Sequence, residues 1–334
     1  MTKIYADSEV CRWHLARLNL EILEEITAGS PAVFHMPYPY DSDFDLMIEQ
    51  AVSICPTVVI LVSELHRDST RFIINHQHTR IKYFICGVID GYANKFWMDW
   101  FVTTCDFYKD IDTLTQLTPY KVKPKYFDLL LGWRKPHRDI AYNFIVENNL
   151  IDKVIMTYLT DRSKTIDQQG IWEVDIPDGT FNTITQINHL GKAITLSQII
   201  PIDIYKDSAY TVVCETNYDN HYNFYTEKIV KPILAERLFI VFSGQHYLRN
   251  LRRLGFKTFD GIVDETYDNI ADNDQRFKSA CEQITYLINQ SQEEILAKIR
   301  PITEHNKRVM LATDWYGDFL KELQAVLLDH TRQN

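Results

Sequence analysis

Short apolar runs alternate with helical patterns through the first third of the chain. Residues 31–36 (PAVFHM), 57–65 (TVVILVSEL), 81–89 (IKYFICGVI) and 100–108 (WFVTTCDFY) are rich in β-branched and aromatic residues and predict buried strands. Between the first two, residues 42–53 (SDFDLMIEQAVS) predict a helix capped by Ser42 or Asp43, with Leu46, Ile48 and Val52 turned inward. This β-α-β rhythm predicts an open α/β domain with a mostly parallel sheet.

Residues 117–127 (LTPYKVKPKYF) interrupt the rhythm with two prolines and with Lys121, Lys123 and Lys125, and predict a domain boundary. A second series follows: a strand at 127–132 (FDLLLG), a loop at 133–138 (WRKPHR), a helix at 139–149 opened by Asp139 as its cap, and a strand at 153–159. Further strands are expected at 209–216 (AYTVVCET) and 238–242 (LFIVF), and helices at 273–290 and 315–328. The expected fold is α/β, with two Rossmann-like domains and C-terminal helices. The limits are 1–118 for the N-terminal domain and 119–300 for the second, with helices over 301–334 packing back on the first.

Composition narrows the classes. A chain of 334 residues with 46% hydrophobic and 24% charged residues is globular and long enough for two cores. The formal net charge of −10 argues against broad binding to nucleic acid or anionic membrane, while leaving room for a local basic cleft. The six cysteines are scattered with no CxxC pair, which fits buried thiols in a reducing compartment. The first residues lack the apolar core of a signal peptide, and no apolar run approaches the roughly 18 residues of a membrane span. These features predict a cytoplasmic protein without membrane insertion; they leave the oligomeric state open.

Candidate chemistry concentrates in residues 222–242 (YNFYTEKIVKPILAERLFIVF). Thr226 is a good N-cap, so the first-turn N–H groups point out of the helix start and attract anions. Lys228 adds a positive charge where acids are usually favoured. A phosphate would supply the missing negative charge. Glu227 suits ribose or sugar hydroxyls, and Tyr225 suits a ring or phosphate. Pro232 should kink or loosen the helix behind this start. The competing reading is a surface helix with an ordinary cap. Upstream, Glu215 closes a buried strand, and ligands of open α/β sheets collect beyond the carboxyl ends of strands.

Two basic runs stand out. Residues 132–139 (GWRKPHRD) carry Arg134, Lys135, His137 and Arg138 after a strand, as a clamp for a diphosphate would. Residues 249–257 (RNLRRLGFK) predict a helix with exposed Arg249, Arg252 and Arg253, ended by Gly255.

VVCETN followed by YTEKI resembles the donor-binding signature of the alpha-1,3-fucosyltransferase group, Phe-Glu-Asn, a short gap, then Tyr-x-Thr-Glu-Lys and a helix leading to a strand. Those enzymes are glycosyltransferases of the GT-B type, with two Rossmann-like domains. The resemblance spans residues 127–160 and 210–242. It implies that Glu215, Tyr225, Thr226, Glu227 and Lys228 serve the nucleotide sugar, and that Arg138, with Arg134 and His137 beside it, matches the family's arginine. Cys214 and Thr216 stand where the group has Phe and Asn, and Tyr225 directly precedes Thr226, so sugar and nucleotide stay open. Residues 224–242 and 251–268 also look like proteins of tailed phages and marine bacteria.

An inverting transferase needs a base for the acceptor hydroxyl. Glu64, His66 and Asp90, each near the carboxyl end of a first-domain strand, are the candidates, with Glu64 preferred. The Asp-x-Asp pairs of residues 39–45 (PYDSDFD) precede a helix and are expected to cap it rather than hold a metal. No HExxH, GxxxxGK[ST] or GxSxG occurs. The expected activity is metal-independent, inverting transfer of a sugar from a nucleotide-sugar co-substrate to a hydroxyl acceptor, with no further cofactor. The acceptor is a glycan or a hydroxymethylated base of phage DNA. A noncatalytic nucleotide- or sugar-binding protein on the same fold is the alternative.

Overall fold

A computed structural model describes residues 2–37, 40–92, 95–97, 99–110, 112–159 and 186–329. The protein is mixed α/β with parallel sheets, and among the described residues no helix is long and apolar enough to cross a membrane. It divides into two compact units, residues 1–102 with 314–334, and residues 103–313.

The first unit is built on six parallel strands, ordered Glu21–Leu23, Lys3–Ala6, Ala32–His35, Val58–Val62, Ile81–Ile85 and Lys95–Phe96. The central strand VVILV is buried at every position, as a β-branched run covered on both faces must be. The first strand has its successor on one side and the third strand on the other. The order therefore reverses between Lys3–Ala6 and Ala32–His35. The helix Trp315–Asp329 returns to this unit and sets Phe319, Leu323 and Leu327, spaced four apart, against Ile4, Val33, Val59 and Phe84.

The second unit carries four parallel strands, ordered Phe239–Phe242, Ser208–Cys214, Lys125–Trp133 and Val154–Leu159. Its first strand lies inside the sheet, so the order reverses between Lys125–Trp133 and Ser208–Cys214. A buried ion pair joins these two strands: Arg237 reaches Asp128 at 2.6 Å and also donates to Ser208 and Thr211. Residues 186–189 and 192–195 pair antiparallel around Leu190 and Gly191, both at positive φ, the geometry of a tight hairpin.

Four expectations need correction. Residues 100–108 lie in the helix Asp99–Lys109, not in a strand. Phe101, Val102, Thr104, Cys105, Phe107 and Tyr108 are buried while Thr103 and Asp106 are exposed, a spacing of three to four that only a helix produces. The helix Asp43–Ile54 buries Phe44, Ile48 and Ala51 and leaves Leu46 67% exposed, so its inward face is rotated from the expected one. Residues 136–138 belong to the helix Pro136–Glu147; Pro136 opens it, Lys135 is its cap residue, and Asp139 lies inside. Segment 117–127 is packed into the second unit. Lys123 is buried and exchanges backbone bonds with the Gln292 amide, and the Tyr120 hydroxyl bonds Glu236 and Thr303.

Candidate functional site

The reversal of strand order in the second unit falls between two strand ends that each lead into a helix. Lys125–Trp133 passes through Arg134 and Lys135 into Pro136–Glu147, and Ser208–Cys214 leads through a loop and a short strand to Glu227–Leu234. Ligands of open parallel sheets bind at such a point. Both helices begin beyond the carboxyl ends of these strands, where the positive end of a helix dipole favours an anion.

Thr226 caps its helix as expected, its hydroxyl accepting from the Lys228 amide at 3.3 Å. That hydroxyl donates to Glu215 Oε2 at 2.7 Å. The Glu215 carboxylate is fully buried and also accepts from the Tyr247 hydroxyl at 2.8 Å and the amides of Thr216 and Thr226. Burial raises its pKa, with Lys228 and the Thr226 bond acting against the rise. Glu215 therefore ties the strand end to the helix start. Tyr225 is likewise enclosed, its ring 4.7 Å from that of Tyr247 and its hydroxyl donating to the Tyr247 carbonyl. Both residues position the site from behind.

The cations form its front. Lys228, half-buried, donates from Nζ to Glu227 Oε1 at 2.7 Å, to Thr216 Oγ1 at 3.1 Å and to Thr226 Oγ1 at 3.3 Å. Lys135 donates from Nζ to the Thr216 carbonyl at 2.6 Å. Two ammonium groups from different strand–helix turns thus meet on one half-buried threonine. Arg138 is buried close by. Burial lowers its pKa, opposed by Cys214, Glu215 and Glu227. Gly132 makes room for it, since a Cβ there would lie 3.0 Å from Arg138 Nη1. Burial pushes Glu227 up, but Lys228 and Lys231 outweigh it and hold the carboxyl below its ordinary value.

His137 is fully buried, with its ring stacked on Tyr218 at 4.7 Å. Nε2 donates to the Glu215 carbonyl at 2.9 Å, which fixes the proton there and leaves Nδ1 as the acceptor, without a hydrogen-bond partner among the described residues. Burial, then Arg138 and the nearby lysines, keep the ring neutral. Arg134 is mostly exposed and pairs with Asp139 at 3.1 Å. Arg252 of the second basic run is engaged by Glu265 at 2.9 Å, and Gly255 ends that helix at a φ of 92°.

Sequence reasoning missed two residues here. Lys231 is buried, bonds the Ser197 carbonyl at 2.9 Å, and has its pKa pushed down to about 8 by burial against the pull of Glu227. Its signal was the i, i+4 spacing from Glu227. Thr216, the meeting point of the lysines, carried one signal, its place in the signature where the resembled group has Asn.

In the first unit, the His66 Nδ1 accepts from the amides of Asp68 and Ser69, while Ser69 Oγ accepts from the His66 amide. The imidazole is committed to capping helix Arg67–Asn75. Glu64 and Asp90 are half-buried, and the Glu64 carbonyl accepts from Ser69 Oγ. Asp41 closes the turn before Asp43–Ile54 by accepting from the Asp43 amide at 3.1 Å, one residue ahead of the expected cap Ser42, which makes no side-chain cap bond. Among the described residues no group of three or more His, Cys, Asp or Glu is arranged to hold a metal ion. No protein-family model matches the chain, and no curated protein matches it.

Proposed function

We propose that the protein is a nucleotide-sugar-dependent, inverting glycosyltransferase of the GT-B type, made of two Rossmann-like domains, with its donor held by the second unit. One observation carries the reading: Lys135 and Lys228 converge on Thr216 at the point where strand order reverses, between two helix starts. Like charges brought together at a site of positive helix potential are stabilised by a bound anion, and a diphosphate matches the charge. Arg138 adds a third cation behind them. In transfer, these groups stabilise the negative charge that develops on the departing diphosphate, without a metal. Glu227, kept ionised by its lysines, accepts hydroxyl hydrogens of ribose or sugar.

The test is a thermal-shift screen against uridine, guanosine and cytidine diphosphate sugars, followed by nucleoside diphosphate release with and without a chelator. A ligand at about 100 times its dissociation constant adds about 2.7 kcal/mol of stability. A shift with one nucleotide class, reduced in Lys228→Ala, and chelator-insensitive turnover are expected. No shift with any of the sugars refutes the donor site; a shift without turnover identifies a binding protein instead.

A further inference from the structure

The first unit holds a cavity of about 280 Å³ that the donor reading leaves unused. It lies between the helices Asp43–Ile54 and Arg67–Asn75, beside the segment that leaves strand Ala32–His35. Its lining follows the second of these helices from Asp68 in the first turn to Asn75 and His76 at the end. The groove therefore runs away from the carboxyl ends of the strands. The buried Phe72 ring lies at its base, with the His76 ring stacked on it at 4.1 Å and the Tyr40 ring tilted against it at 5.8 Å.

The polar groups of this groove are largely unspent. Asp68 and Arg71 have the spacing of a helical ion pair, yet neither side chain has a hydrogen-bond or ion-pair partner among the described residues, and nor has the Asn75 amide. Asp45 accepts the Tyr40 hydroxyl on Oδ1, and the same oxygen lies 3.8 Å from His76 Nε2. Burial, then the bond to Asp45, raises the Tyr40 pKa and keeps that hydroxyl a donor. His76 Nδ1 donates to the Phe72 carbonyl at 3.0 Å, so Nε2 of the neutral ring is an acceptor. Two acceptors thus face each other across a gap too long for a hydrogen bond, and a ligand group with several N–H donors serves both.

We propose that this groove binds a free α-amino acid. Arg71 pairs with the α-carboxylate, the α-ammonium group sits among Asp45, His76 Nε2 and Asp68, and the side chain lies over the Phe72 ring. The charge pattern selects a zwitterion. A simple anion is repelled by Asp45 and Asp68, and a simple cation by Arg71. A neutral sugar fills hydroxyl contacts but partly desolvates charges of both signs without a counter-charge. An amino acid answers both, with a carboxylate that matches the guanidinium fork and an ammonium that gains from the aromatic faces. The cavity is also small, since pockets for drug-sized ligands begin at about 300 Å³. Binding is noncovalent and involves the first unit alone.

The experiment is isothermal titration calorimetry of the full chain at mildly alkaline pH with each of the standard amino acids. Glucose, putrescine and succinate serve as neutral, cationic and anionic probes. The expected result is saturable binding of at least one amino acid, tighter than that of any of the three probes. Its N-acetyl and amide derivatives, which each remove one charge, bind about 10- to 100-fold more weakly. Arg71→Gln and Asp68→Asn each weaken the amino acid itself by about the same 10- to 100-fold. Both substitutions fall at exposed positions and leave the unfolding temperature without ligand unchanged, so the loss reads the site and not the fold. Binding of no amino acid overturns the proposal, as does tighter binding of glucose, putrescine or succinate. Unchanged amino-acid affinity in either variant places the ligand elsewhere and overturns it too. The titration contains no nucleotide sugar, so its outcome leaves the donor reading where it stands.

Discussion

At the scale of single residues, the second unit separates charges enclosed by internal partners from charges left half-buried at the candidate site. Glu215 spends both carboxylate oxygens on internal donors, whereas Lys228 and Lys135 reach toward Thr216 from half-buried positions. Lys231 is an intermediate case, a buried ammonium whose loss of hydration outweighs the pull of Glu227. Its folded pKa of about 8 lies below the ordinary 10.5. Between those values the folded protein has released a proton that the unfolded chain still binds. The cost of burying the charge is therefore full below pH 8 and disappears as pH rises toward 10.5. Every tenfold loss of proton affinity on folding is worth about 1.4 kcal/mol, so stability should rise by something on the order of 3 kcal/mol across that range. Urea unfolding of wild type and Lys231→Met at pH 7 to 10 should show the difference growing in favour of wild type as pH increases. Parallel curves would mean that Lys231 keeps an ordinary affinity for its proton.

At the scale of elements, the strands were legible because parallel sheets bury continuous apolar runs. Val58–Val62, Ser208–Cys214 and Phe239–Phe242 match the apolar runs expected to form strands. The same rule misread Asp99–Lys109, since an apolar run of about ten residues fits a buried helix equally well. Thr226 was legible as a cap because capping is local; the enclosure of Glu215 was not, because Tyr247 comes from 32 residues downstream. Tyr40, Asp45 and His76 were illegible as a group for a similar reason. They meet only through the packing of two helices. The strand-end turns also use glycine in two different ways. A Cβ at Gly132 meets the flexible end of Arg138, while one at Gly244 runs into the backbone carbonyl of Asp219. Gly244→Ala should therefore cost about 1–3 kcal/mol in urea unfolding. Gly132→Ala should leave stability within about 0.5 kcal/mol and instead weaken nucleoside diphosphate binding by displacing Arg138. Equal loss of stability in the two variants would contradict this division.

For the whole molecule, the decisive quantity is charge. The formal net charge of −10 repels a polyanion at long range, so a DNA acceptor would require a concentrated basic face. The most basic stretch of the sequence, residues 121–138, does not provide one. Lys123 and Arg138 are buried, Lys125 donates to the Asp152 carbonyl, Lys135 to the Thr216 carbonyl, and Arg134 pairs with Asp139. A sequence run of cations is thereby spread over a packed interior, a strand edge and a helix start. This distribution favours a small anion such as a diphosphate over an extended phosphate backbone, and it favours a glycan acceptor over a base in duplex DNA. Fluorescence anisotropy with a labelled duplex, between 50 and 200 mM salt, measures the difference directly. Each phosphate neutralised contributes about −0.9 to the slope of log affinity against log salt. The expected result is weak binding with a slope near zero. A slope of about −3 or steeper, the mark of three or more phosphate contacts, would restore DNA as the acceptor and place a basic surface outside the residues discussed.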